Sequence, residues 1–157
     1  MRIIRIIRRL AKVPKVWRNL QKCDRLLREH GFKHVYQLQW ENDLQDFTRS
    51  EIIQIHRWAG TPFKFLRNIP IVKKINWRGL LKDSTCLRKS ILLEADLRSI
   101  GCQAKLVQGV KADNQNSEQE ASKMTMHAWV EVEGIIVGDS PTEAQSFTPV
   151  AFESDFN

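Results

Sequence analysis

Cys86, His127 and Asp139 are the residues whose types and spacing could do chemistry. Cys86 follows Asp83 and Ser84, either of which can cap a helix, and an apolar pattern through Leu87, Ile91, Leu92, Ala95 and Leu97 runs on to Gly101. The spacing predicts a helix over 84–100 with Cys86 in its first turn. Helix N-termini favour a thiolate over a thiol, because orphan backbone N–H groups and the macrodipole act on the side chain, and the thiolate is the nucleophile. Taken alone, a cysteine there is more often a small buried hydrophobe, so Cys86 by itself does not establish a nucleophile. His127 lies in His127-Ala128-Trp129-Val130-Glu131-Val132 and Asp139 in Val137-Gly138-Asp139-Ser140, two stretches with strand character. A three-residue connection Val132-Glu133-Gly134, with Gly134 in the left-handed bulge position, makes Glu131 face Ile135, Trp129 face Val137 and His127 face Asp139. Imidazole and carboxylate then leave one face of the sheet, about 4.5–5.5 Å apart at Cβ. A two-residue connection would send them to opposite faces.

The elements that must position these residues divide the chain by period. Isoleucines and a leucine among arginines predict a helix over 2–13, interrupted by Pro14. A second helix is expected from Pro14 to His30, ending at Gly31, with Trp17, Leu20, Cys23 and Leu27 on its apolar side. Thr48 or Ser50 can cap a third, reaching Ala59-Gly60, and a short helix is expected within Phe63–Ile75. After Gly101 the period changes to that of strands, over 103–110, 124–132 and 135–139. The polar run 112–120 between the first two reads as a mobile loop that could act as a lid. The expected organisation is a basic helical region over 1–50 followed by an α+β domain over 51–157.

Composition bounds the rest. At 157 residues, 42% hydrophobic and 27% charged, the chain suits one soluble core. Three cysteines, with no CxxC pair and no Cys/His cluster at metal spacing, suggest neither a disulfide framework nor a metal site, and no cofactor motif is present. The arginine-rich start is no signal peptide, and no apolar run of about 18 residues exists to span a membrane, so a cytoplasmic protein is expected. The net charge of +7 is uneven: residues 1–30 carry ten Lys/Arg against two acids, 31–82 nine against four, and 83–157 six against twelve. A basic first half is either a solvated helical face or a docking surface for an acidic partner, a membrane surface or nucleic acid. No nucleic-acid fold or aromatic-basic motif accompanies it, so no nucleic-acid partner is expected.

The ordered set Cys86-Leu87-Arg88-Lys89-Ser90, Gly109-Val110, His127-Ala128-Trp129-Val130-Glu131 and Gly138-Asp139 resembles the transglutaminase-like cysteine peptidases that process lasso-peptide precursors, the B2 or leader-peptidase proteins of those pathways. The resemblance spans roughly residues 52–150. It implies a papain-like core in which a helix carrying the cysteine packs on an antiparallel sheet. It also implies roles: Cys86 as nucleophile, His127 as general base and acid, and Asp139 as the group that orients the histidine. Implied partners are the lasso precursor peptide, a separate leader-recognition protein of B1 type and the ATP-dependent lasso cyclase; the excess charge of residues 1–30, which a Cys-His-Asp triad does not need, makes the basic helices the expected dock for the recognition protein or the leader it carries. Lys89 stands where the family more often has arginine, and the first fifty residues diverge. The backbone N–H of Cys86 is the natural first oxyanion donor. Leu80, Leu81 and Lys82 cannot be the glutamine that papain-like enzymes use as second donor; Trp58 and Trp77 are candidates by analogy with the transglutaminase tryptophan, beside ordinary core roles.

Two other classes fit the same residues. An acyl transferase of transglutaminase or arylamine N-acetyltransferase type would use the same triad and pass the acyl group to an amine. A non-enzymatic basic module would bind anions through its helices, the triad being fortuitous.

Overall fold

The computed structural model describes residues 2–60, 86–112 and 124–150. The short helix expected within Phe63–Ile75, the Asp83/Ser84 cap, Trp77 and the body of the loop 112–120 lie outside them. Helices α1 (Arg2–Tyr36), α2 (Arg49–Gly60) and α3 (Cys86–Ser99) precede strands β1 (Ala104–Ala112), β2 (Met124–Val132) and β3 (Ile135–Val137), then a single turn α4 (Pro141–Ala144) and a short β4 (Thr148–Val150). The fold is α+β. The strands form one antiparallel sheet in the order β3-β2-β1-β4.

Pro14 does not end a helix as expected: α1 runs through it. Proline removes one N–H and crowds the carbonyl of Leu10, at a cost of about 3 kcal/mol. Pro14 and Leu10 are both exposed, so the defect faces water, while Val16, Leu20 and Cys23 just beyond are fully buried and hold the helix in place. The break in α1 comes at Gly31, where the second helix is expected to end: its φ of 78° and ψ of 176° leave the helical region before a last turn to Tyr36. Thr48 caps α2. Its backbone N–H and its hydroxyl both donate to Glu51 Oε2 at 3.0 Å, and Arg9 of α1 donates to Glu51 Oε1 at 2.9 Å.

α3 packs against α1 and α2 on one side and against β1 and β2 on the other. Its apolar residues Ile91, Leu92, Leu93 and Leu97 join Val16 and Leu20 of α1, Ile52 and Ile55 of α2, and Val130, Val132 and Val137 of the sheet in one core. Each such side chain contributes about 1.5–3 kcal/mol of burial free energy. Enclosed on two sides, α3 also buries polar residues, and these find partners on other elements. Arg88 pairs with Asp24 of α1 at 3.1 Å, Ser90 donates to the Ala128 carbonyl of β2 at 2.9 Å, and Glu94 accepts from Tyr36 at 2.9 Å. Asp96 meets His56 of α2 and accepts from Asn42, each at 2.7 Å. The helix bearing Cys86 is therefore fixed by directional contacts as well as by packing.

The β2–β3 connection has two residues, not three. Val132 pairs with Ile135 and Val130 with Val137, and Glu133 and Gly134 carry φ of 54° and 77°, as a type I′ turn requires. The expected pairing of Glu131 with Ile135 is thus corrected by one residue. β4 was not anticipated: it has three residues, one of them Pro149, which an edge strand tolerates. Among the described residues, no helix is long and apolar enough to cross a membrane.

Candidate active site

β2 alternates along the sheet, with Ala128, Val130 and Val132 buried on one face and His127, Trp129 and Glu131 on the other. Extending the two-residue register past Val137 would set Asp139 opposite Ala128 and turn its carboxylate away from His127. That does not happen, because β3 stops at Val137 and Gly138 takes a φ of 77°. The backbone turns there. Asp139 Oδ2 lies 2.6 Å from His127 Nε2, and Asp139 Oδ1 accepts the backbone N–H of Ser140 at 2.8 Å. A Cβ at Gly138 would also sit 2.4 Å from Leu93 Cδ2 of α3, so that buried side chain would have to shift.

The His127 ring is flanked by two aromatics, Phe147 at 5.0 Å between centroids and Trp129 at 6.1 Å, both stacked. Gly109, opposite His127 on β1, makes this arrangement possible. A Cβ on Gly109 would come within 2.9 Å of both Trp129 and Phe147.

Cys86, half-buried at the start of α3, lines a cavity of about 370 Å³ together with His127, Asp139, Lys89, Ser90 and Glu143. His127 and Asp139 are brought into hydrogen-bond contact. Cys86 shares the cavity and is hydrogen-bonded to neither among the described residues. Lys89 and Ser90 follow Cys86 by three and four positions, and helical spacing alone puts them on its side of α3. Ser90 ties that side to the Ala128 carbonyl, the residue after His127, so one hydrogen bond sets the Cys86 turn against the His127 strand. Lys89 lies along Gly60 of α2, its Cε 3.0 Å from where a Cβ would stand. The sequence assigns no role to Ser90, Glu143 or Phe147. Ser90 was recoverable from its spacing; Glu143 and Phe147 carry no pattern of their own. Trp58 is half-buried on α2 and is not among the described residues lining the cavity.

The other two cysteines sit elsewhere. Cys23 is fully enclosed, and burial pushes its thiol up to about 12 against the opposing pull of Arg88. Cys102 is half-buried beyond the end of α3. Among the described residues, no group of three or more His, Cys, Asp or Glu converges as a metal site requires.

A half-buried thiol, an imidazole whose Nε2 meets a carboxylate, and one cavity lined by all three are groups of the kind that thioester chemistry uses. No curated protein and no solved structure matches the chain. Residues 68–151, more than half of its length and spanning Cys86, His127 and Asp139, match the family model described as "Transglutaminase-like superfamily", and the chain belongs to that superfamily.

Proposed function

We propose that the protein is a cysteine peptidase of the transglutaminase-like superfamily, with Cys86 as nucleophile, His127 as general base and acid and Asp139 as the orienting carboxylate. The observation that carries this reading is the 2.6 Å contact between His127 Nε2 and Asp139 Oδ2 in the cavity that Cys86 lines. With Nε2 engaged as donor to the carboxylate, Nδ1 is the nitrogen left to take the thiol proton. Cys86 Sγ then attacks a peptide carbonyl, and His127 returns the proton to the leaving amine. Water, deprotonated by the same imidazole, hydrolyses the thioester to a carboxylate and regenerates the thiol. The Cys86 backbone N–H stabilises the oxyanion.

The substrate in this reading is a ribosomally made lasso-peptide precursor, from which the enzyme removes the leader. A separate leader-recognition protein presents the precursor, and an ATP-dependent cyclase uses the freed amine. The ordered motifs around Cys86, His127 and Asp139 support this assignment. The test is mass spectrometry of a precursor incubated with this protein and its recognition partner. Expected products are a leader with a free carboxylate and a core with a free amine, both absent with Cys86→Ala. A leader joined to an added amine would make the protein an acyl transferase, and cleavage at the parental rate by Cys86→Ala would remove the nucleophile from the scheme.

A further inference from the structure

The first three turns of α1 carry an apolar surface that the described residues leave exposed. Ile3, Ile4, Ile6, Ile7 and Leu10 are 46–73% exposed, whereas the Val16, Leu20 and Cys23 side chains later in the same helix are fully buried. At 100° per residue, the mean direction of the exposed group lies about 140° around the helix axis from that of the buried group. The phase is fixed by two contacts on the basic side. Arg8 stacks over the Phe47 ring at 4.9 Å and Arg9 pairs with Glu51 at 2.9 Å, so these two arginines turn toward the body of the protein and the isoleucines turn away from it. No acidic residue occurs before Asp24, while residues 2–22 hold eight Lys/Arg.

We propose that residues 3–10 of α1 lay this stripe into the surface of an anionic phospholipid bilayer. An isoleucine-rich face on a segment with no acidic residue and with Arg5 exposed matches both parts of such a surface, the side chains meeting acyl chains and the net positive charge meeting negative headgroups. A second copy of the chain fits worse, because stripe-to-stripe packing would bring two uncompensated basic segments together. A protein groove also fits less well, because the stripe lacks the aromatic and methionine anchors in which specific interfaces are enriched. The helix lies on the membrane and does not cross it.

The test is flotation of the full chain with vesicles of phosphatidylcholine, with or without about one third phosphatidylglycerol, at about 150 mM salt. Binding is expected only with the anionic vesicles, weakened about tenfold or more by Ile3→Ser/Ile7→Ser/Leu10→Ser and several-fold by Arg5→Glu, with melting temperatures unchanged because these side chains are exposed. The readout involves no catalysis, so it stands or falls apart from the peptidase assignment. Absence of vesicle binding, equal binding by parent and triple variant, or loss of the leader-recognition protein in place of lipid by the triple variant would each overturn the proposal.

Discussion

Gly138→Ala is the sharpest perturbation of the His127–Asp139 geometry, because it adds one methyl group and touches neither residue. Two penalties combine. Alanine in the left-handed region costs about 1–2 kcal/mol, and Gly138 has a φ of 77°. Its Cβ would also lie 2.4 Å from Leu93 Cδ2, well inside contact distance, and overpacking of that kind costs about 1–3 kcal/mol. Together they predict a loss of about 2–5 kcal/mol, a fall in Tm of about 4–20 °C for a chain of this size. If the backbone escapes the strain by rejoining the ladder, Asp139 rotates toward the Ala128 face and releases His127. Activity per folded molecule should then approach that of Asp139→Ala. Thermal melts and leader-release rates of the two variants, measured below the Gly138→Ala melting temperature, make the comparison. The cycle with Leu93→Ala separates the two penalties, since removing Leu93 relieves the clash and leaves the dihedral strain. A Gly138→Ala protein with parental Tm would refute the strain argument. One that melts early yet cleaves at the parental rate would refute the claim that Gly138 aims Asp139.

Other outcomes follow from the same structure. Iodoacetamide should modify native Cys86 well before Cys23, whose thiol burial pushes up to about 12; equal rates for the two, read by peptide mapping, would contradict this. The Thr48 backbone N–H, then Arg9, hold the Glu51 carboxyl down from its ordinary 4.5 to about 2, so its contribution is complete above about pH 4.5 and lost as pH falls toward 2. For this partly exposed pair, Glu51→Gln should cost about 1 kcal/mol at pH 7 and flatten urea midpoints between pH 4.5 and 2. Burial pushes the Glu94 carboxyl above its ordinary 4.5 despite the Tyr36 hydrogen bond, so its share of stability is present at low pH and lost as pH rises through the raised value. Glu94→Gln should abolish that alkaline-going loss, and an unchanged pH profile of urea midpoints would exclude Glu94 as its source.

The parts of the fold legible in the sequence are those fixed by local periodicity. α3 is readable from Leu87, Ile91, Leu92 and Leu97, and β2 runs over the expected 124–132, because each is patterned along its own length. The misreadings occur where the decision is tertiary or stereochemical. Pro14 is outvoted by the burial of Val16, Leu20 and Cys23. The β2–β3 turn places Glu133 at positive φ, where Asn or Asp is the usual signal, so the sequence lacked the usual cue for a two-residue loop. The observed two-residue register, extended, would part His127 from Asp139, and the turn at Gly138, one residue past the end of β3, rejoins them. No short-range pattern reports such a compensation. The same holds for Phe147 beside His127 and for the cluster of Asn42, His56 and Asp96, each assembled from segments far apart in the chain.

The buried pair of Arg88 and Asp24 has a consequence for modularity. The family match begins at residue 68, yet the guanidinium two residues past Cys86 is neutralised from residue 24, and Asp24 is flanked in α1 by the core residues Leu20 and Cys23. A chain cut at residue 51 would deprive Arg88 of this counter-charge and expose the α2 and α3 surfaces that α1 covers. Inheritance and folding therefore draw different borders here. Variation in α1 reaches the turn that presents Cys86 through a salt bridge, so the N-terminal helix is more than a free accessory to the matched region.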